Sequence, residues 1–294
     1  MDLRSFKYYP SLLLIVLLVA CEREVDTVKL PEFNPMLVIA SFISPSDSES
    51  FIFVSTNRRL YGELNQDEQP GNLTGTISDG SNEISLDTVS NGLIFSRDKM
   101  QIQYGNTYTL KITNDKGLSA EASCTVPEKR DFDLSIDTCF SEQHLVQYGD
   151  SLYHFYYTTE FTLSFTDTPA EDNYYRIKGE ISTCRTDENT GKINWYKQDI
   201  PLGKEYFTDD GKDGIRFILE ISTNASSGTG ADSSFLKVFL FNTERSYYLY
   251  HRSLEDYNSD ENPFSEVTPV FSNIKGGLGI FTSYTIDSVV YKIK

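Results

Sequence analysis

An acidic segment between positions 209 and 220 is the best candidate for metal chemistry. Asp209, Asp213 and Glu220 have the spacing of a calcium-binding loop, with acidic first and twelfth positions and Gly214 at the sixth. The third position departs from that pattern, because Gly211 offers no side-chain oxygen. The flanking residues have the pattern of strands, so a plain hairpin turn also accounts for the segment. Calcium ligation by Asp209, Asp213 and Glu220 and a turn without metal are both open.

Other chemistry-bearing residues form no catalytic pattern. His144, His154 and His251 each lack a second His or Cys at ligand spacing, which argues against a zinc or haem site. Nucleophile elbows, phosphate-binding glycine loops and paired catalytic carboxylates are not found, and a Ser with a distant His is no evidence of a triad. We therefore expect no enzyme activity and no cofactor.

Three cysteines remain after the N-terminal region. Cys124 alternates with the polar residues of its strand and shares a face with Ala120 and Ala122, which predicts a small core side chain. Cys139 and Cys184 fall on the polar faces of their strands. Sequence alone does not fix their connectivity, so a Cys139–Cys184 disulfide and two free thiols are both open. If formed, the disulfide would stabilise the second domain by ~3 kcal/mol.

The N-terminus has the pattern of an export signal. An apolar run from Leu12 to Ala20 follows Arg4 and Lys7 and is too short for a membrane span, so residues 1–20 are expected to be a signal peptide. The final residues before Cys21, Leu-Val-Ala, resemble a bacterial lipobox, which predicts lipidation of Cys21. The alternative is an ordinary thiol beside a general secretory signal.

Residues 21–35 are expected to form an acidic tether and linker. Glu22, Glu24 and Asp26 follow Cys21, and this stretch resembles the signal that sends Bacteroidota lipoproteins to the outer face of the outer membrane. A solvated tether without sorting significance is the alternative. We expect a lipid-anchored protein that faces the cell exterior.

Composition limits the class of partner. The chain has 294 residues, a formal net charge of −17 and 13% aromatic residues. The length favours two domains, and the aromatic content supports packed cores. Nucleic acid is not an expected partner, because phosphate recognition requires clustered Lys and Arg.

Period-two alternation and evenly spaced turns predict a mostly β fold. We expect an N-terminal immunoglobulin-like β-sandwich over residues 36–128, followed by a second β-rich domain over residues 129–294. One amphipathic helix should begin near Asn242 or Thr243 and end before Pro263. Its apolar stripe should comprise Tyr247, Tyr250, Leu254 and Tyr257.

A glycine-rich segment near the C-terminus is the most specific motif. Its residues are candidates for interaction, although a bulged turn before the last strand also accounts for the glycines. The candidates are Asn262, Pro263, Phe264, Ser272, Asn273, Gly276, Gly277, Leu278 and Gly279. This motif resembles the closing signature of the DUF4249 family of Bacteroidota outer-membrane lipoproteins, and weaker motifs at 77–80, 104–108 and 173–175 extend the resemblance.

The resemblance implies an accessory role beside a TonB-dependent receptor, either in substrate capture or as a lid. Exposed aromatic residues of the second domain and the 262–281 segment would contact the barrel. The alternative is a structural or assembly subunit of an outer-membrane complex that binds no small molecule. A glycan hydrolase is a third hypothesis, and it requires two carboxylates facing each other across a cleft.

Overall fold

The computed structural model describes residues 34–58, 70–148, 152–187, 189–227, 232–259 and 269–293, without the side chains of 146–155, 225–227 and 258–259. The described residues are mostly β, as predicted, with one helix. The strands are β1 (Leu37–Ile43), β2 (Glu49–Thr56), β3 (Leu73–Ser78), β4 (Glu83–Ser85), β5 (Asp87–Val89), β6 (Gly92–Ser96), β7 (Thr107–Asn114), β8 (Ser119–Thr125), β9 (Ser135–Tyr148), β10 (Leu152–Thr166), β11 (Tyr174–Thr186), β12 (Ile193–Ile200), β13 (Tyr206–Thr208), β14 (Arg216–Ser227), β15 (Ser233–Thr243) and β16 (Gly277–Lys292). The helix α1 is Arg245–Ser259.

The first eight strands form a β-sandwich. One layer has the order β1-β2-β6-β5, and the other has the order β4-β3-β7-β8. In immunoglobulin-like domains strands A, B, E and D form one layer and C, F and G the other, so the two orders correspond. Alternate residues of these strands face inward and form one core, which includes Ile52, Leu93, Leu110 and Cys124. Cys124 is 1% exposed, so the predicted core position is confirmed.

A buried tyrosine locks the loop before β7 onto that strand. Tyr108 is fully buried, and its hydroxyl accepts a hydrogen bond from the Gln103 backbone N–H at 2.8 Å and donates one to the Gln101 carbonyl at 3.4 Å. A tyrosine near the start of strand F that bonds upstream backbone is the tyrosine corner of immunoglobulin-like sandwiches. The hydrogen bonds of Tyr108 therefore also support an immunoglobulin-like arrangement of the first eight strands.

The later strands form a second sandwich. The three-stranded sheet β14-β10-β9 packs on the part of the nine-stranded sheet with the order β12-β11-β15-β16, where β13 also pairs with β11. The core between these layers contains Phe161, Leu163, Phe165, Tyr175 and Val238. Leu163 and Phe165 of β10 and Tyr175 of β11 are 0% exposed, so all three side chains lie within this core.

The last strand joins both sandwiches. β16 pairs in parallel with β1 from Leu37↔Gly277 onward, and its later residues pair antiparallel with β15. Ile274 and Phe281 belong to the first core. The domain boundary predicted from the sequence places both residues in a second domain over residues 129–294. The first core is therefore completed by the end of the chain, which a division at residue 128 does not capture.

The helix packs on the outer face of the nine-stranded sheet. It begins at Arg245, because Asn242 and Thr243, the predicted caps, pair with β11 and β16 as the last residues of β15. Glu244 takes the capping position, and its carbonyl accepts the Tyr248 N–H at 3.3 Å. No helix among the described residues is long and apolar enough to cross a membrane.

Candidate functional site

The glycine-rich segment that leads into β16 is held by Asn273, whose side chain makes the pair of hydrogen bonds that a neighbouring strand would make. The Asn273 side-chain amide donates to the Phe281 carbonyl at 2.7 Å, and its oxygen accepts the Phe281 N–H at 3.0 Å. The Asn273 backbone N–H also bonds to the Gly279 carbonyl at 3.3 Å. Two reciprocal hydrogen bonds to the backbone of Phe281 fix the segment in place, so Asn273 has a structural role within the protein.

The glycines of the same segment permit close packing. A Cβ at Gly277 would lie 2.6 Å from the Leu37 carbonyl oxygen, and a Cβ at Gly279 would lie 2.0 Å from that of Ile39. Gly276 has a φ of +75° and faces the Ser119 carbonyl in the same way. These contacts explain three of the predicted interaction residues as packing requirements.

The other predicted interaction residues have different surroundings. The Ser272 hydroxyl accepts the Ile274 N–H at 3.4 Å. Leu278 is 39% exposed and is available for contact with a partner. Asn262, Pro263 and Phe264 lie outside the described residues, as does the predicted lipidation site, Cys21.

The acidic cluster differs from the predicted calcium loop. Asp209 and Asp213 are close together, with carboxylate oxygens within 4.8 Å, but the third member is Asp167. Glu220 belongs to β14 and pairs across to Thr162 on the opposite, outer face of its sheet. Glu220 is not part of this cluster, because residues 216–227 form a strand that carries it away from the turn.

The carboxylates of this cluster are engaged by the protein. Asp167 is 2% exposed and accepts hydrogen bonds from the Tyr175 hydroxyl at 2.6 Å and the Gly214 N–H at 2.8 Å. Asp213 accepts the Ala170 N–H at 2.7 Å. Burial and the neighbouring carboxylate raise the pKa of the Tyr175 phenol. The cluster therefore closes the loop after β10 onto the loop before β14.

Of the two alternatives that the sequence left open for Cys139 and Cys184, the structure has the two free thiols. Cys139 belongs to β9 in the three-stranded sheet, whereas Cys184 belongs to β11 in the nine-stranded sheet. Cys139 packs against the second core instead of lying on a polar face. Burial raises the pKa of the Cys139 thiol.

A β-bulge explains why the sequence misplaced Cys139. Thr162 pairs with Thr138, but the next residue, Leu163, pairs with Ile136, so Asp137 is an extra residue in β9. One extra residue reverses the alternation of side chains along the strand. Ile136 and Cys139 consequently share the inward face, although their positions differ by an odd number.

Aromatic side chains hold the helix against the sheet. The Tyr247 ring lies 5.5 Å from Phe42 of β1, measured between ring centroids, and its hydroxyl accepts a hydrogen bond from Arg176 Nη1 at 2.8 Å. Arg176 also makes an ion pair with Glu205 at 2.9 Å. Tyr247 is buried, but the predicted stripe weakens along the helix, and Tyr257 is half exposed. This pattern indicates a structural attachment of the helix.

A histidine that the sequence did not connect to this attachment lies within it. His251 stacks on Tyr247 with ring centroids 4.2 Å apart and on Tyr206 at 5.5 Å. Its Nδ1 donates to the Tyr247 carbonyl at 2.9 Å. Burial, reinforced by the charges of Arg176 and Lys178, lowers the pKa of His251 to about 4. The imidazole is therefore neutral at pH 7.

A cleft of about 420 Å³ lies where the two sandwiches meet the start of the helix. Its lining includes Glu128, Glu171, Asp172 and Glu244. Glu171 is paired with Arg130, and Glu244 bonds to protein groups, so much of the negative charge is already satisfied. The cleft is an acidic concavity at an internal junction, a common place for ligand sites.

β12 is an exposed strand at the edge of the nine-stranded sheet. It pairs with β11, and among the described residues no strand pairs with its other edge. Ile193, Trp195 and Tyr196 are 62%, 56% and 60% exposed. Natural proteins usually protect edge strands with charges, and Lys197 and Asp199 do so in the second half of β12, but its first half exposes three large apolar side chains and is a candidate surface for contact with another molecule.

The outer face of the three-stranded sheet carries a different combination of groups. Core residues such as Phe161 and Ile221 point inward, and their strand neighbours therefore point outward. A concavity of about 460 Å³ lies on this outer face. Its outward side chains are Thr138, Phe140, Glu160, Thr162, Glu220 and Ser222.

The strand order, the two cores and the helix define a mostly β protein built from two sandwiches. The family model described as a domain of unknown function, DUF4249, matches residues 23–289. The chain belongs to the DUF4249 family. The match confirms the resemblance of the C-terminal signature.

Two solved structures with a distant likeness to this chain illustrate the comparison. A study of carbohydrate-binding modules from the β-sandwich superfamily provides one, with 10% identity, a TM-score of 0.21, and coverage of 71% of this chain and 97% of that chain. The B domain of a biofilm-associated protein gives 6% identity, a TM-score of 0.14 and coverage of 86% and 85%. These TM-scores are too low to support an argument about function. No curated protein matches the chain.

Proposed function

We propose that this protein is a non-enzymatic lipoprotein, anchored through Cys21 to the outer membrane and facing the cell exterior. It acts as an accessory to a TonB-dependent receptor, in substrate capture or as a lid. The apolar N-terminal run that ends at Cys21 supports the anchor. Family membership is compatible with this role but names no function.

The exposed edge strand β12 is the observation that carries the proposed contact with a barrel. Ile193 and Trp195 lie on one face of the strand and Tyr196 on the other, and each is more than half exposed. An edge strand can add to a partner's sheet through its free N–H and C=O groups, while its aromatic side chains supply apolar contact. We infer that β12 contacts the receptor.

A pull-down with the intact, lipidated chain tests this proposal. The chain carries an affinity tag after its last residue and is recovered from detergent-solubilised outer membranes of the producing organism. Mass spectrometry should identify an outer-membrane barrel as the main partner. Recovery of soluble periplasmic proteins alone would contradict the proposal.

Two matched variants test the role of β12. Trp195→Lys places a charge on the free edge and should reduce barrel recovery by at least about tenfold, because a charged side chain must be desolvated in the contact. Tyr257→Lys changes a residue of similar exposure on the helix and should leave recovery unchanged. Equal recovery with both variants would exclude β12 as the contact.

The structure of the recovered complex separates the two accessory roles from a purely structural one. A ligand-filled cavity between the protein and the barrel favours substrate capture, whereas a dry continuous interface favours an assembly subunit.

The anchor is tested separately with Cys21→Ser, which should abolish fatty-acid labelling and release the protein from membranes. An unlabelled native chain would remove the basis for the membrane address.

A further inference from the structure

The outer face of the sheet β14-β10-β9 combines aromatic rings with oxygen-bearing side chains. Phe140 is 63% exposed and lies directly across from Glu160 on the neighbouring strand. Glu160 in turn faces Ser222, and Thr162 faces both Thr138 and Glu220. The ring and the two carboxylates therefore occupy one continuous surface.

A second aromatic platform continues this surface along the same strands. His144 and Tyr156 are a cross-strand pair whose rings stack with centroids 4.7 Å apart. Phe140 and His144 are four positions apart along β9, which corresponds to ~13 Å at 3.3 Å per residue. Glu142 and Thr158 lie between the platforms. The surface is consequently long enough for a chain-like ligand.

The charges on this surface select against anions. Glu142, Glu160 and Glu220 contribute three carboxylates, and residues 138–144, 156–162 and 218–224 contain no Lys or Arg. Ionised carboxylates accept hydrogen bonds but cannot donate, so a ligand must supply donors. The hydroxyls of Thr138 and Thr162 bond to each other at 2.9 Å and can also both donate and accept.

We propose that this face binds a neutral glycan chain. Sugar rings present apolar C–H faces that can stack on Phe140 and on the His144–Tyr156 pair, and hydroxyl groups that can donate to the carboxylates. A basic peptide would satisfy the carboxylates but would gain less from the hydroxyls. The proposal does not rest on the contact of β12 with a barrel.

The test uses the full mature chain and an array of neutral polysaccharides that includes α- and β-linked glucans, mannans, galactans and xylans. The native chain should bind at least one of them, and titration calorimetry then gives the affinity for that glycan. Phe140→Ala should weaken binding by about tenfold or more, because it removes one stacking platform. Its exposure predicts an unchanged melting temperature.

Glu160→Gln is the second variant and should also weaken binding, because an amide is a poorer acceptor for sugar hydroxyls than a carboxylate. Phe51→Ala, which removes a 44% exposed ring from β2, is the matched control and should bind normally. Trp195→Ala should also bind normally, which separates this face from the β12 edge.

Three results would overturn the proposal. They are failure of the native chain to bind any glycan on the array, equal binding by native chain and Phe140→Ala, and binding of an oligolysine peptide in place of glycan. The third result would assign the face to a basic protein partner.

Discussion

A Cβ at Gly279 would lie 2.0 Å from the carbonyl oxygen of Ile39, and the φ of Gly279 is +102°. Both the contact and the backbone conformation exclude a larger residue unless β1 moves. We predict that Gly279→Ala lowers the free energy of unfolding by about 2–4 kcal/mol. Urea denaturation monitored by circular dichroism measures the change.

Gly203 provides the matched control for this substitution. Its φ is +74°, but a Cβ there would have no neighbour within 4 Å. Gly203→Ala therefore carries only the conformational cost of a positive φ, about 1 kcal/mol. Similar losses for the two variants would show that the close approach to β1 contributes nothing.

His251 should make stability depend on pH. Burial lowers its pKa from 6.5 in the unfolded chain to about 4 in the folded protein. Between these values the unfolded state binds a proton that the folded state does not, so the contribution of His251 to stability falls as the pH drops from about 6.5 to 4. At higher pH both states are neutral and the contribution is constant.

The variant His251→Phe retains a ring between Tyr247 and Tyr206 and removes the titration. We predict that the free energy of unfolding of the native chain falls more steeply than that of the variant between pH 6.5 and 4. Chemical denaturation at several pH values gives both curves. Parallel curves across this interval would contradict the prediction.

At the scale of elements, the sequence predicts the buried face of a strand correctly where the alternation of apolar and polar side chains is regular. The alternation of β8 predicted the buried face that carries Ala120, Ala122 and Cys124. The alternation predicts the wrong face for Cys139 in β9, because the extra residue Asp137 reverses the two faces of the strand. No local sequence pattern marks this extra residue. The sequence also did not predict that Asn242 and Thr243 belong to β15. Both residue types are typical helix caps, but pairing with β11 keeps these two residues in the sheet.

The candidate sites were harder to predict than the strands. Asp167 joins Asp209 and Asp213 only through the folding of separate loops, so local spacing could not identify it. The outer face with Phe140 and Glu160 also depends on the pairing of strands distant in sequence. Pairing register places these side chains together, and single-sequence periodicity does not contain register information.

Glu244 joins the helix to two strands. Its carboxylate accepts hydrogen bonds from the Thr125 N–H at 3.3 Å, the Thr282 hydroxyl at 3.0 Å and the Ser246 hydroxyl at 2.9 Å. Burial raises the pKa of this carboxyl group. We predict that Glu244→Ala lowers the free energy of unfolding by about 1–3 kcal/mol, because buried donors lose their acceptor.

Glu255 is the control for this prediction. It lies on the same helix, is exposed and pairs with Arg252. Glu255→Ala should change stability by less than about 0.5 kcal/mol, since exposed ion pairs contribute little. Thermal and urea unfolding of both variants provide the comparison. Equal losses of unfolding free energy for the two variants would contradict the proposed role of Glu244 in joining the helix to the strands.

At the scale of the whole molecule, the first sandwich should not be stable without the end of the chain. Ile274 and Phe281 are 8% and 0% exposed within its core. Burying each such side chain contributes about 1.5–3 kcal/mol, a large share of the stability of a small domain. We predict that a fragment of residues 36–128 is unfolded or only marginally stable, as measured by circular dichroism and urea denaturation.

A second fragment provides the matched control. Residues 269–284 joined to 36–128 through a flexible Gly/Ser linker restore Ile274, Phe281 and the pairing with β1. This fragment should show a cooperative unfolding transition that the shorter fragment lacks. Full stability of residues 36–128 alone would show that β16 is dispensable for the first core.

The parallel pairing of β1 with β16 has a consequence for biogenesis. Leu37 and its partner Gly277 are 240 positions apart, so β1 is synthesised long before the segment that completes its edge. Such distant pairing slows folding and leaves an open edge on the nascent polypeptide. A chain that ends before β16 therefore leaves this edge of β1 unpaired and open to proteases and chaperones.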